Sequence, residues 1–150
     1  GLMGVLADTV LAAGGAVIGV IPARLAEVEI AHEGLSELHV VETMYERKRL
    51  LVELSDAFVG LPGGFGTLEE LFEALTATQV GFQAKPTGLL EVGDFFDPLL
   101  AFLDHAVAVG LLREENRRIL LSSPSPEELI GQLRAWEPTP AAAWEQPPVP

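Results

Sequence analysis

The chain has 150 residues, 49% of them hydrophobic and 21% charged, with a formal net charge of −13 and a pI near 4.4. That length suits one domain with a full core and is short for two. The acidic balance excludes broad binding to the DNA or RNA backbone, which needs a basic stripe, and the lack of cysteine excludes disulfides, thiolate metal sites and cysteine nucleophiles.

In chain order, the first predicted element is a helix over residues 1–13, with Leu2, Val5, Leu6, Val10 and Leu11 on one side. A helix opened by glycines follows a strand in nucleotide-binding units. No strand precedes Gly1, so the fold is expected to be N-terminally truncated. AVIGVIP (16–22) is apolar and β-branched after two glycines and reads as a buried strand. Residues 23–42 form a long connection that holds LHVV as a short strand. TMYERKRLLVELS (43–55) is helical, with Met44, Leu51 and Leu54 on one face and Glu46 spaced to pair with Arg49.

AFVGLP (57–62) reads as a second buried strand, and GFGTLEELFEALTATQV opens the next helix. PTGLLEV (86–92) is a third strand, LLAFLDHAVAVGLL (99–112) an amphipathic helix and RRILLS (117–122) a last strand. SPSPEELIGQLRAW closes the fold with a helix that starts at Pro126 and Glu127. Strands alternating with helices in this way predict an α/β fold, a Rossmann-like parallel sheet with helices on both faces. The domain is expected over 1–136. The rest, EPTPAAAWEQPPVP, is rich in proline and alanine, lacks periodicity and is expected to be a disordered tail. No apolar run approaches the roughly 20 residues of a membrane span, and no signal peptide is visible, so the expected location is cytoplasmic, without a membrane partner.

The most informative stretch is LPGGFGTLEEL (61–71). Its glycines fall where a strand turns into a helix, at the carboxyl edge of the sheet, where open α/β sheets bind ligands. Glycines there let backbone N–H groups point at one anion, which the helix N-terminus also favours. The stretch is neither a Walker A loop nor a dinucleotide GxGxxG fingerprint. Thr67 and Glu70 also have the spacing of a capping box, which needs no ligand. Spacing leaves both readings open. Arg47 and Lys48 sit near the start of the preceding helix, on the same predicted edge, where an arginine fork can meet a phosphate or a carboxylate. His32, His39 and His105 show no metal-ligand spacing, and no metal site is expected.

TMYERK and LPGGFGTLEE together resemble the paired motifs of the LOG family, phosphoribohydrolases that activate cytokinins and are also described as lysine decarboxylases. The matching positions are Met44, Arg47 and Lys48, then Pro62, Gly63, Gly64, Gly66, Thr67 and Glu70. The likeness runs from GLMG through VIGVIP, EIAHEG, ELHVV and KPTGLL to about Trp136. The family's first strand and the glycine run before GLMG are not in this sequence.

The resemblance implies a Rossmann-like fold shared with molybdenum-cofactor carriers, a homodimer, and hydrolysis of the N-glycosidic bond of a nucleoside 5′-monophosphate. That substrate is AMP or an N6-prenylated AMP, and the products are free base and ribose 5-phosphate. It further implies Arg47 and Glu70 as the catalytic pair, with Glu29, Lys48, Gly63, Gly64, Phe65, Gly66, Thr67 and Glu69 binding substrate. No pyridoxal phosphate or other cofactor is implied. A nucleotide or molybdenum-cofactor carrier without hydrolase activity is the alternative, and the retention of both Arg47 and Glu70 favours the enzyme.

Overall fold

Helices and strands alternate along the chain in the computed structural model, which describes residues 1–26 and 34–138. The strands form two parallel sheets, one in each of two compact units, Gly1–Ser55 and Asp56–Pro150. Glu29, along with Glu27, His32 and Glu33 of the acidic connection, lies outside the described residues, as does the predicted tail from position 139 onward.

The first unit contains α1 (Leu2–Ala12), β1 (Ile18–Pro22), α2 (Ala23–Ala26), β2 (Glu37–Val41) and α3 (Met44–Leu54). Strands β1 and β2 pair in parallel, from Ile18 opposite Glu37 to Pro22 opposite Val41, and α3 packs on both. Gly19 leaves room for the Leu35 side chain just before β2, since a Cβ there would stand 2.6 Å from its Cδ1. The stripe read on α1 is only partly covered: Val10 and Leu11 are half-buried, but Leu2, Val5 and Leu6 are exposed and Ala7 is the helix's buried residue. Periodicity identifies an apolar face without supplying what covers it.

Helix α3 begins with a capping box. The Glu46 amide donates to Thr43 Oγ1 at 3.1 Å, and the Thr43 amide donates to Glu46 Oε2 at 3.2 Å. Glu46 is therefore engaged at the cap, and the expected pairing with Arg49 gives way to an Arg49–Glu53 ion pair one turn further on.

The second unit contains β3 (Phe58–Gly60), α4 (Phe65–Gln79), β4 (Thr87–Leu90), α5 (Asp97–Ala108), α6 (Glu114–Arg117), β5 (Leu120–Ser123) and α7 (Pro126–Ala135), with strand order β3-β4-β5. The central strand is the apolar TGLL, in which Thr87, Gly88 and Leu89 are buried. Alternation along the strand sends neighbouring residues to opposite faces. Leu89, fully buried, joins a core with Leu71, Phe96, Leu103 and Leu120. Gly88 faces the other side, where a Cβ would stand 2.7 Å from Cδ1 of Leu129 and 3.5 Å from Cδ2 of Leu133 on α7. Helices thus cover both faces of this sheet, and the missing side chain at Gly88 seats α7. Strand β3, expected to be buried, is an edge of the three-stranded sheet, with Val59 47% exposed. The last strand starts later than predicted because residues 114–117 wind into α6.

Among the described residues no helix is long and apolar enough to cross a membrane, and no cluster of three or more His, Asp or Glu could hold a metal ion.

Candidate active site

Parallel strands deliver their carboxyl ends to one edge. In the second unit Gly60 of β3 lies opposite Leu89 of β4, and Leu90 lies opposite Ser123 of β5. Three loops therefore leave from the same edge: the glycine loop at 61–64, the stretch 91–96, and Pro124–Ser125.

The glycine loop ends at Gly64, the N-cap of α4, where no side chain accepts from a first-turn amide and the first turn holds no acidic residue. The other helices of eight or more residues that follow a strand are furnished differently. Helix α3 has its capping box. Helix α5 has Asp97 and a proline in its first turn. At α7 the Glu128 amide donates to Ser125 Oγ at 3.3 Å, and Ser123 Oγ donates to Glu128 Oε2 at 3.0 Å. Only α4, within this set, offers its first-turn N–H groups and the positive end of its dipole without a competing carboxylate or hydroxyl.

The glycines of this loop are not there for left-handed backbone, since none of Gly63, Gly64 and Gly66 has a positive φ. At Gly63 the cause is a close approach: a Cβ would fall 2.2 Å from Thr67 Oγ1 and 2.9 Å from Thr67 Cβ. A Cβ at Gly64 or Gly66 would meet nothing within 4 Å. What glycine achieves at those two positions is a bare surface, on which a ligand can reach the backbone.

The capping-box reading of Thr67 and Glu70 is corrected by where the helix begins. With α4 starting at Phe65, Thr67 is its third residue and Gly64 holds the cap position. Thr67 is turned against Gly63 instead. Glu70 is half-buried and, at about 100° per residue, stands roughly 60° around the helix from Thr67. Glu69 stands about 160° from Thr67 and is exposed. Phe65, also on the far side from Thr67, is 93% exposed. Thr67 and Glu70 thus share one side of the helix start with the glycines, and Glu69 does not.

Arg47 and Lys48 are the fourth and fifth residues of α3, in the first unit, while the glycine loop and Glu70 belong to the second. Both basic residues are half-buried, the Arg47 amide donates to Thr43 O at 3.1 Å, and Arg47 Nε is shielded from solvent. An arginine half-buried at the first turns of a helix after a strand is placed as the edge rule expects.

Two further features of the structure were legible in the sequence. The Thr43–Glu46 box was legible as Thr-x-x-Glu before a helix. The loop after β4 was legible by applying to β4 the edge rule already used for β3. It holds Phe96, 1% exposed and in the core, and Phe95, 51% exposed, the two rings meeting edge to face at 5.0 Å and 86°.

The family model described as possible lysine decarboxylase matches residues 3–133. The chain is 46% identical over 138 residues to the cytokinin riboside 5′-monophosphate phosphoribohydrolase LOG of Oryza sativa subsp. japonica, covering 92% of this chain and 57% of the relative. It is 44% identical over 138 residues to an enzyme of the same description from Arabidopsis thaliana, covering 92% and 64%. A third, from Rhodococcoides fascians, is 44% identical over 136 residues, covering 90% and 69%. The chain thus spans only 57–69% of the length of these relatives. With nine tenths of its residues aligned at this identity and both motifs inside the matched span, the chain belongs to the LOG family, the family described as possible lysine decarboxylase.

Proposed function

We propose that the protein hydrolyses the N-glycosidic bond of a nucleoside 5′-monophosphate, AMP or an N6-prenylated AMP, to free base and ribose 5-phosphate. The observation that carries this reading is the uncapped, acid-free start of α4, with Gly63, Gly64, Gly66 and Thr67 around it and Glu70 a turn further on. The names of the relatives, cytokinin riboside 5′-monophosphate phosphoribohydrolases, support the same reaction.

In this reading the 5′-phosphate sits on the bare first-turn amides of α4, where the helix dipole offsets its charge and the anchored sugar is held for attack. Breaking the C1′–N bond sends its electron pair to the base and leaves an oxocarbenium-like sugar, as in glycoside hydrolysis. The Glu70 carboxylate stabilises that positive charge and accepts a proton from the water whose oxygen bonds to C1′, while the departing base takes up a proton from solvent and Glu70 later returns its own to solvent. Arg47, which the resemblance pairs with Glu70, supplies a planar guanidinium suited to phosphate or carboxylate oxygens. Lys48 and Glu29 bind substrate, whereas Glu69 is given no contact with the phosphate because its helix position faces away from Thr67. The protein acts as a cytoplasmic homodimer, and AMP nucleosidase activity falls within the same chemistry.

Incubation of the protein with AMP and with isopentenyl-AMP, followed by chromatography, tests the proposal: free base is expected from at least one of them. No release from either, with nucleotide binding intact, would place the protein with carriers that hold a nucleotide or the molybdenum cofactor without hydrolysis.

A further inference from the structure

The glycine loop accounts for a phosphate and a sugar but offers nothing flat and apolar to the base except Phe65, which is turned away from Thr67. The neighbouring loop supplies a candidate. Strand β4 stays paired past its last residue, since the Glu91 amide donates to Ser123 O at 3.0 Å, and the chain then turns at Gly93, whose φ is +58°. Phe96 follows as the N-cap of α5 and is buried in the core that also contains Leu71, the residue after Glu70. This core ties the 91–96 loop to the part of α4 that carries Glu70. Phe95, immediately before that anchor, keeps half of its surface in the open and is braced by the edge-to-face contact with Phe96. Because Gly60 lies opposite Leu89, the glycine loop and this loop leave adjacent strands about 4.8 Å apart at the same edge.

We propose that Phe95 is a substrate-positioning residue, its ring serving as the platform for the purine base or its N6 substituent while the glycine loop holds the phosphate. Aromatic rings stack on bases through their faces regardless of base identity, and a ring pinned by a buried neighbour loses little freedom when it does so. The assignment rests on the nucleotide reading above, but it concerns binding of the base and is separable from hydrolysis.

The test is to measure binding of AMP and of ribose 5-phosphate, which lacks the base, to the wild type, Phe95→Ala and Phe95→Tyr, with a thermal melt of each. The expected result is about tenfold weaker AMP binding for Phe95→Ala, the size of one lost stacking contact. Ribose 5-phosphate binding should stay within about twofold, and Phe95→Tyr should restore AMP binding. In steady-state assays the loss should appear in KM rather than kcat. Equal weakening of both ligands, or unchanged AMP binding with a normal melt, overturns the proposal. If the wild type binds AMP but releases no base, hydrolysis fails as the function while the role of Phe95 is still decided by the two binding curves.

Discussion

Helices α4 and α7 both start at the carboxyl edge of the second unit's sheet, yet they begin in opposite ways. Helix α7 encloses its first turn in its own side chains: Ser125 accepts from the Glu128 amide, Glu127 accepts from the Ser125 hydroxyl, and Ser123 holds Glu128. Helix α4 begins on Gly64 with no side-chain cap and no acid in its first turn. The first arrangement stabilises a helix and repels anions. The second forgoes roughly 1 kcal/mol of capping and leaves the amides accessible. Helix α5 also lacks a side-chain cap but carries Asp97 in its first turn, so among the helices of eight or more residues that follow a strand α4 alone has neither a side-chain cap nor a first-turn acid.

The largest test of this contrast is chemical. Glu70→Gln keeps the shape of α4 but removes the carboxylate, and base release should fall about 100-fold or more while ribose 5-phosphate binding persists. Unchanged turnover would remove Glu70 from the mechanism. Next is Gly63→Ala, whose Cβ would be driven into Thr67. It should cost about 1–3 kcal/mol in denaturant melts and abolish nucleotide binding, because the helix start must move.

Gly64→Asp turns α4 into a helix like α7. Its backbone (φ −92°, ψ −151°) and the open space around it admit a side chain. A carboxylate there should raise stability by about 0.5 kcal/mol and at the same time weaken phosphate binding. If stability and binding rise together, the bare cap is not an anion site. The converse change at α7, Ser125→Ala, should lower stability by about 1 kcal/mol and leave base release unaltered. Melting curves beside the chromatographic assay check both.

Periodicity was enough to find the helices at α1, α3, α4, α5 and α7 and the strands between them, because each buries one face or a continuous apolar run. It failed at boundaries, where the deciding interaction is short-range and polar. Thr43 and Thr67 both precede a glutamate by three residues, yet Thr43 caps α3 and Thr67 lies inside α4. What separates them is where the helix begins: α4 starts at Phe65 with Gly64 at the cap, three residues before Thr67. The acidic Glu29, expected to bind substrate, falls outside the described residues.

The sequence by itself determined the alternation of helix and strand, the parallel pairing that follows from it, and the family, because apolar spacing and two spaced motifs are properties of the chain alone. Only the tertiary structure decided which glycine is required for packing and which ones leave a surface bare. It also decided that Glu70 rather than Glu69 shares a side with Thr67, that β3 lies at an edge, and that the 91–96 loop with Phe95 leaves the strand next to the one that feeds the glycine loop. Each of these depends on where a helix begins or which strand lies next to which. Those choices are settled by packing between residues far apart in the chain, and no local pattern encodes them.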